Sequence, residues 1–281
     1  MRRKQGFASK IYAGLVMFFL YAPMLVMVLF SFNSSNSIAR FEGFSLKWYA
    51  DLLQNDDARA ALASTLVLAL LAAVISVVLG TAAALGIDRT RRKWARGLLL
   101  NVTNIPLMNP EIVTGISMML LFVFAARLLR IADPLGFVSL LIAHVTFCLP
   151  YVILSVLPKL RQTDPHLAEA AQDLGATPFR AFFKVVLPAI STGVVSAFLM
   201  AFTISLDDFV VSNFTSGPGF QTLPLYIYSM TKKRVKPDMY ALSSLVFAAI
   251  LLLLILSNVM QARNEKKQKI NSYKPKREES T

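Results

Sequence analysis

The sequence predicts an all-α, polytopic membrane protein with six transmembrane helices. Composition is the first reason. Of 281 residues, 56% are hydrophobic and 16% are charged, against about 45–50% and 25% in soluble domains. The second reason is the length of the apolar stretches. A bilayer core about 30 Å thick needs roughly 20 apolar residues of helix, and six stretches are that long. The third is the placement of charge. The chain carries 29 Lys and Arg against 16 Asp and Glu, net +13, and the cations gather in particular loops. A nucleic-acid-binding protein also reaches such a charge, but as a basic patch on a soluble face. Cations sorted by loop argue against it.

The predicted spans are residues 11–32, 62–87, 98–126, 137–157, 189–214 and 240–260. The third is interrupted by Pro106 and Pro110, and the fourth contains Pro150. The connecting stretches leave no room for a separate soluble domain, so 1–281 reads as one transmembrane domain. Span one follows Arg2, Arg3 and Lys4 like a signal peptide. Its apolar core is far longer than the 7–15 residues of such a peptide, so it is expected to be retained despite the faint cleavage pattern Ser37-Ile38-Ala39. Trp48 and Tyr49 favour the membrane–water boundary. Residues 45–53 therefore read as a short interfacial helix or as a loop with aromatic anchors. Orientation follows Lys and Arg. They concentrate at the N-terminus, after span two (Arg89, Arg91, Arg92, Lys93, Arg96), after span four (Lys159, Arg161, Arg180, Lys184) and in the tail 261–281. Both termini are expected in the cytoplasm. The basic cluster at 232–236 opposes that rule.

The loop 158–188 parses into two capped helices. Asp164 suits an N-cap and Pro165 the first helical position. Ala168, Ala170 and Ala171 favour helix, and Gly175 suits the residue just beyond its end. Thr177 and Pro178 repeat the start signal. The second helix is expected to stop before Pro188. Phe179, Phe182 and Phe183 cluster near the turn. Composition alone leaves two readings: a loop packed on its own membrane domain, or a knob inserted into another protein.

The spacing Glu169-Ala170-Ala171, then Gly175, Val185 and Leu187-Pro188, resembles the EAA pattern of membrane subunits of bacterial binding-protein-dependent ABC importers. Val185 stands where the family usually has Ile. Further stretches resemble the spermidine/putrescine branch of that family: Leu20-Tyr-Ala-Pro23, Lys47-Trp-Tyr49, His144-Val-Thr-Phe-Cys-Leu-Pro150, Ser205-Leu-Asp-Asp208 and Leu223-Pro-Leu-Tyr-Ile-Tyr-Ser-Met230. The resemblance implies a type I ABC importer permease fold (MetI-like) in the bacterial inner membrane. It implies coupling to the ATPase through Glu169, Ala170, Ala171, Gly175, Leu187 and Pro188. It implies four partners: a homologous second permease, two ATPase subunits and an extracytoplasmic polyamine-binding protein. ATP and Mg belong to the ATPases, and alternating access moves the polyamine. Another small organic or cationic solute is the alternative cargo.

Ionisable residues inside spans are expensive and default to a functional reading. Asp207 and Asp208 lie in span five, about 100° apart on a helix, so they cannot face one narrow pathway equally. Glu111 follows Asn109-Pro110, as an acid favoured in a first helical turn; capping and cation passage are both open there. Tyr151 and Phe209 are candidate aromatic faces for an ammonium group. No metal site is expected, since His144 and His166 sit on different elements without a Cys/His cluster. No catalytic residue is assigned. The chain has no G-x-x-x-x-G-K-[ST] for ATP, and Cys148, the single cysteine, reads as a small buried hydrophobe. An intramembrane aspartyl enzyme would need two facing carboxylates sharing a proton, whereas Asp207 and Asp208 diverge. A self-contained channel would leave the capped loop without purpose.

Overall fold

A computed structural model describes residues 7–35, 40–232 and 237–272. The N-terminal cations Arg2–Lys4, the cleavage-like Ser37-Ile38-Ala39, Lys233–Lys236 of the basic cluster and the tail beyond Ser272 lie outside the described residues. Among these residues the secondary structure is helical, with one isolated bridge between Asn33 and Phe44.

Contacts group the chain into two compact units: Met1–Ala60 with Tyr226–Leu252, and Ala61–Leu225 with Leu253–Thr281. The first unit contains α1 (Phe7–Ser31) and α2 (Lys47–Gln54). None of the apolar window of α1 is buried, so its hydrophobic surface is left for lipid or other chains. After α1 the chain is knotted around Asn33. Its Nδ2 donates to the Arg40 carbonyl (2.6 Å), and its Oδ1 accepts from Glu42 N–H (3.0 Å). Trp48 Nε1 donates to the Asn33 carbonyl at 2.7 Å. The indole is thereby satisfied while buried, and α2 is fixed to the end of α1.

The second unit holds most of α3 (Asp56–Arg89), then α4 (Lys93–Met108), α5 (Glu111–Leu129) and α6 (Phe137–Gln162). The short α7 (Leu167–Asp173) and α8 (Pro178–Ala181) follow, then α9 (Leu187–Asp207) and α10 (Val210–Thr215). Helix α6 is the axis of this unit. Its Cys148, Val152, Val156 and Leu160 form one buried cluster with Ala73 and Ala84 of α3 and Ile190, Ala197 and Ala201 of α9. Small residues let these helices approach closely, as membrane helix packing requires. A Cβ at Gly80 would lie 2.5 Å from Val152 Cγ1, and one at Gly193 would lie 2.6 Å from Lys159 Cγ. Cys148 is fully buried, its thiol directed at the Ala201 carbonyl.

Five described helices are long and apolar enough to cross a membrane: Ile11–Ser31, Asp56–Arg89, Glu111–Leu129, Phe137–Gln162 and Pro178–Asp207. After α11 (Leu223–Lys232), a shorter apolar stretch, Asp238–Leu252, lies in α12 (Pro237–Ser272). Two expected spans are not continuous helices. Residues 98–126 break at Asn109-Pro110, because the residue before a proline is pushed out of the helical region; Asn109 sits at φ −80°, ψ 140°. Residues 189–214 break at Asp208, with φ −64° and ψ 122°. Pro188, expected to end a helix, instead sits in the first turn of α9. The turns before it, Phe182–Val186, are π-helical. A widened turn accommodates a proline ring and its missing donor without ending the helix.

Candidate functional site

Two regions carry the candidate residues. The first is the loop after α6. Asp164 Oδ1 accepts from the His166 N–H at 2.9 Å, but Pro165 and His166 form a turn and α7 starts only at Leu167. Glu169 is exposed in its first turn, Ala170 is exposed and Ala171 half-buried. Gly175 has φ +89°, a conformation glycine adopts without steric cost. Gly175 N–H donates to Gln172 O (2.8 Å) and Ala176 N–H to Ala171 O (3.0 Å), which is the Schellman closure of a helix end. Thr177 Oγ1 then accepts from Arg180 N–H, with Pro178 at the first position of α8. The tip presents apolar surface to solvent: Leu174 is 89% exposed and Phe179 74%. Phe179 and Phe182 both pack on Phe183, with ring centroids 4.8 and 5.0 Å apart. Leu187 is half-buried and Pro188 exposed at the start of α9. His166 Nδ1 pairs with Glu169 Oε2 at 3.0 Å. That hydrogen bond, with the nearby carboxylate charge, raises the imidazole above its ordinary value.

The second region lies where the two helices break. Asp207 is exposed at the C-terminal end of α9. Glu111 is exposed in the first turn of α5. Asn109 does not cap that helix with its side chain; the Pro110 carbonyl accepts from Val113 and Thr114 N–H instead. Glu111 begins α5, the helix that packs on α10 just beyond Asp207, where a Cβ at Gly115 would lie 2.8 Å from the Phe214 ring. Tyr151 is half-buried on α6, with its ring edge-on to Phe147. A cavity of about 210 Å³ opens beside the α4–α5 break, lined by Pro106, Asn109, Thr114 and Phe147 among others. Phe209 is half-buried at the other break. The adjacent aspartates separate sharply. Asp208 is buried, and its carboxylate accepts from Val211 N–H (3.3 Å) and Ser212 N–H (2.7 Å), capping α10. His144 lies beside it, buried and hydrogen-bonded as a packed span histidine, to Ser205 Oγ at 2.7 Å and Ser212 Oγ at 3.0 Å. The sequence singles out Glu111, Asp207 and Tyr151 as candidates but gives no sign of the His144–Asp208 contact. The available signal was that Asp is a favoured N-cap. No group of three His, Cys, Asp or Glu among the described residues could hold a metal ion.

Residues 76–270 match the family described as binding-protein-dependent transport system inner membrane component. The chain belongs to this family. This inner-membrane component is therefore a multi-pass transport subunit, not an enzyme. It is 40% identical over 251 residues to the putrescine transport system permease protein PotI of Escherichia coli strain K12, covering 89% of each chain. It is 37% identical over 265 residues to the spermidine/putrescine transport system permease protein PotC of the same strain, covering 93% of this chain and 94% of that one. Its fold is similar to a chain in the crystal structure of a bacterial ABC transporter involved in import of the acidic polysaccharide alginate, with TM-score 0.68, 17% identity and coverage of 91% and 94%. A chain of the MetNI methionine ABC transporter is also similar, with TM-score 0.57, 16% identity and coverage of 74% and 98%. Those cargoes differ in charge and size. The fold therefore does not choose the cargo, and the site must.

Proposed function

We propose that this inner-membrane component is a permease subunit of an ATP-driven importer of polyamines, with spermidine and putrescine as the cargo class. The observation that carries the reading is the pair of exposed carboxylates at the helix breaks, Glu111 in the first turn of α5 and Asp207 at the end of α9, with Tyr151 as a candidate aromatic face. A polyamine is a string of ammonium groups separated by methylenes. Carboxylates supply counter-charge, aromatic faces attract cations through their quadrupole, and the C-terminal carbonyls of α9 add the negative end of a helix dipole. Broken helices at such a place are the usual construction of a transport site. The names of the relatives agree with this cargo. Phe209 borders the same break.

In this reading the loop with Glu169, Ala170, Ala171 and Gly175 docks in an ATPase subunit, and Leu187 and Pro188 carry its motion into α9. The exposed Leu174 and Phe179 supply apolar contact area. Both termini and this loop lie in the cytoplasm. The assembly contains a second permease, two ATPase subunits that bind ATP and Mg, and a binding protein that delivers the polyamine. ATP-driven closure of the ATPases switches the paired permeases between inward- and outward-facing states.

The test is uptake by the reconstituted complex. Spermidine-loaded binding protein should stimulate ATP hydrolysis and drive accumulation of labelled spermidine. Stimulation by a neutral or acidic cargo and not by a polyamine would overturn the assignment.

A further inference from the structure

We propose that Asp208 is a positioning residue and not a cation ligand: with His144 it forms a latch that pins the α9–α10 break to α6. The latch fixes the direction in which Asp207 projects. The inference rests on the reading that Asp207 faces the transport pathway.

Both carboxylate oxygens of Asp208 already accept backbone hydrogen bonds in a buried setting. One oxygen takes the Val211 N–H, and the other takes the Ser212 N–H at 2.7 Å and lies 3.6 Å from His144 Nε2. The Asp208 side chain is 5% exposed and that of His144 2%. An ammonium group reaching this carboxylate would compete with the N–H groups that start α10. In a membrane such freed backbone groups need protein partners.

His144 is equally committed. Its Nδ1 is bonded to Ser205 in the last turn of α9, and its Nε2 to Ser212 in α10. A single imidazole on α6 therefore grips the chain on both sides of the break. Ser139 Oγ, one turn or so earlier on α6, donates to the Thr215 carbonyl at 3.0 Å and ties down the far end of α10. Helix α5 seats α10 from another side, where a Cβ at Gly115 would lie 2.8 Å from the Phe214 ring. That same helix begins with Glu111. The placement of Asp207 relative to Glu111 thus depends on where the latch holds α10. With Asp208 turned inward, its neighbour is left on the open side.

The experiment uses the complete complex in proteoliposomes, with Cys148→Ala removing this chain's only native thiol and labelling read on this chain alone. Asp207→Cys and Asp208→Cys are probed with a cationic methanethiosulfonate reagent. Position 207 should react at least about ten-fold faster than 208, a difference equivalent to one decade in an equilibrium constant, and spermidine should protect it. Adding His144→Ala to Asp207→Cys should change the rate at 207 by about three-fold or more, while the complex still assembles. Equal, spermidine-protected reaction at 208 would overturn the latch, as would an unchanged rate at 207 after His144→Ala. A 207 thiol that spermidine does not protect would sink the pathway reading instead. Asp208→Asn guards against a folding failure, because its amide oxygen still accepts the Ser212 N–H. It should keep more than half of spermidine uptake, whereas Asp207→Asn should lose about ten-fold. Equal losses would overturn the proposal.

Discussion

The loop at Thr163–Thr177 and the break at Asp207–Phe209 are both places where helices stop, but they stop for opposite reasons. In the loop every stop signal is local. Gly175 supplies the left-handed turn, Ala171 and Gln172 carbonyls close it, and Thr177-Pro178 restarts the chain. At the break the partners come from far along the sequence: His144 lies 64 residues before Asp208, and it reaches Ser205 and Ser212 as well. A locally specified element keeps its shape while its surface stays exposed for a partner. A break specified by distant partners keeps its shape only while the surrounding helices stay packed. The first suits docking, and the second suits a site that must be rearranged as helices move.

Substitutions can test that contrast. The largest loss of stability should come from the packing that supports the break. Gly80→Val drives side-chain carbons into Val152, whose methyl already lies 2.5 Å from a Cβ position. A cost of about 3 kcal/mol or more is expected from such overpacking, read as a lower unfolding midpoint in detergent. Asp208→Ala should follow. It strips the cap of α10, leaves the buried Val211 and Ser212 N–H groups without their acceptor and removes the carboxylate beside His144, at about 2–3 kcal/mol. Gly175→Ala should cost about 1 kcal/mol through the positive φ alone, with the loss confined to the loop. Hydrogen exchange would separate the cases: faster exchange across α6, α9 and α10 for Asp208→Ala, and only around 163–177 for Gly175→Ala. Global exchange in the second case would break the distinction.

The smallest effect is a pH dependence. The folded His166 value is raised by Glu169. The pair therefore contributes most below the unfolded histidine value, near 6.5, and its contribution fades as pH rises through the folded value. Titration of the His166 ring by NMR should show a midpoint above that of the same ring in Glu169→Gln. Equal midpoints would mean that the pair does not form. His166 and Glu169 are both well exposed, so the effect on global stability should be too small to measure.

The same contrast explains what the sequence could reveal. Long apolar runs marked the helices, and Gly175, Thr177 and Pro178 marked the loop, because each acts on its own neighbours. Pro110 gave one break, through its steric effect on Asn109. The break at Asp208 was hidden. Its flanks, Leu206 and Phe209–Val211, are as apolar as a span interior, and neither Gly nor Pro accompanies it. The cap bonds themselves are local, to Val211 and Ser212, but only the fold brings His144 beside the buried carboxylate. Pro188 misled in the other direction, since the π turn before it lets the helix continue. The adjacency of Asp207 and Asp208 concealed their difference until one was seen buried and the other exposed.

That continuity has a mechanical consequence. From Pro178 to Asp207 the chain is one helical run of 30 residues, about 45 Å at 1.5 Å per residue. One end carries the exposed Phe179, and the other ends at Asp207. In the proposed reading, a push on the docking tip would reach Asp207 along this one helical run, without a relay of side chains. The π turn at 182–186 is the one joint in that run, so it sets how much of a push becomes translation of the acid and how much becomes twist.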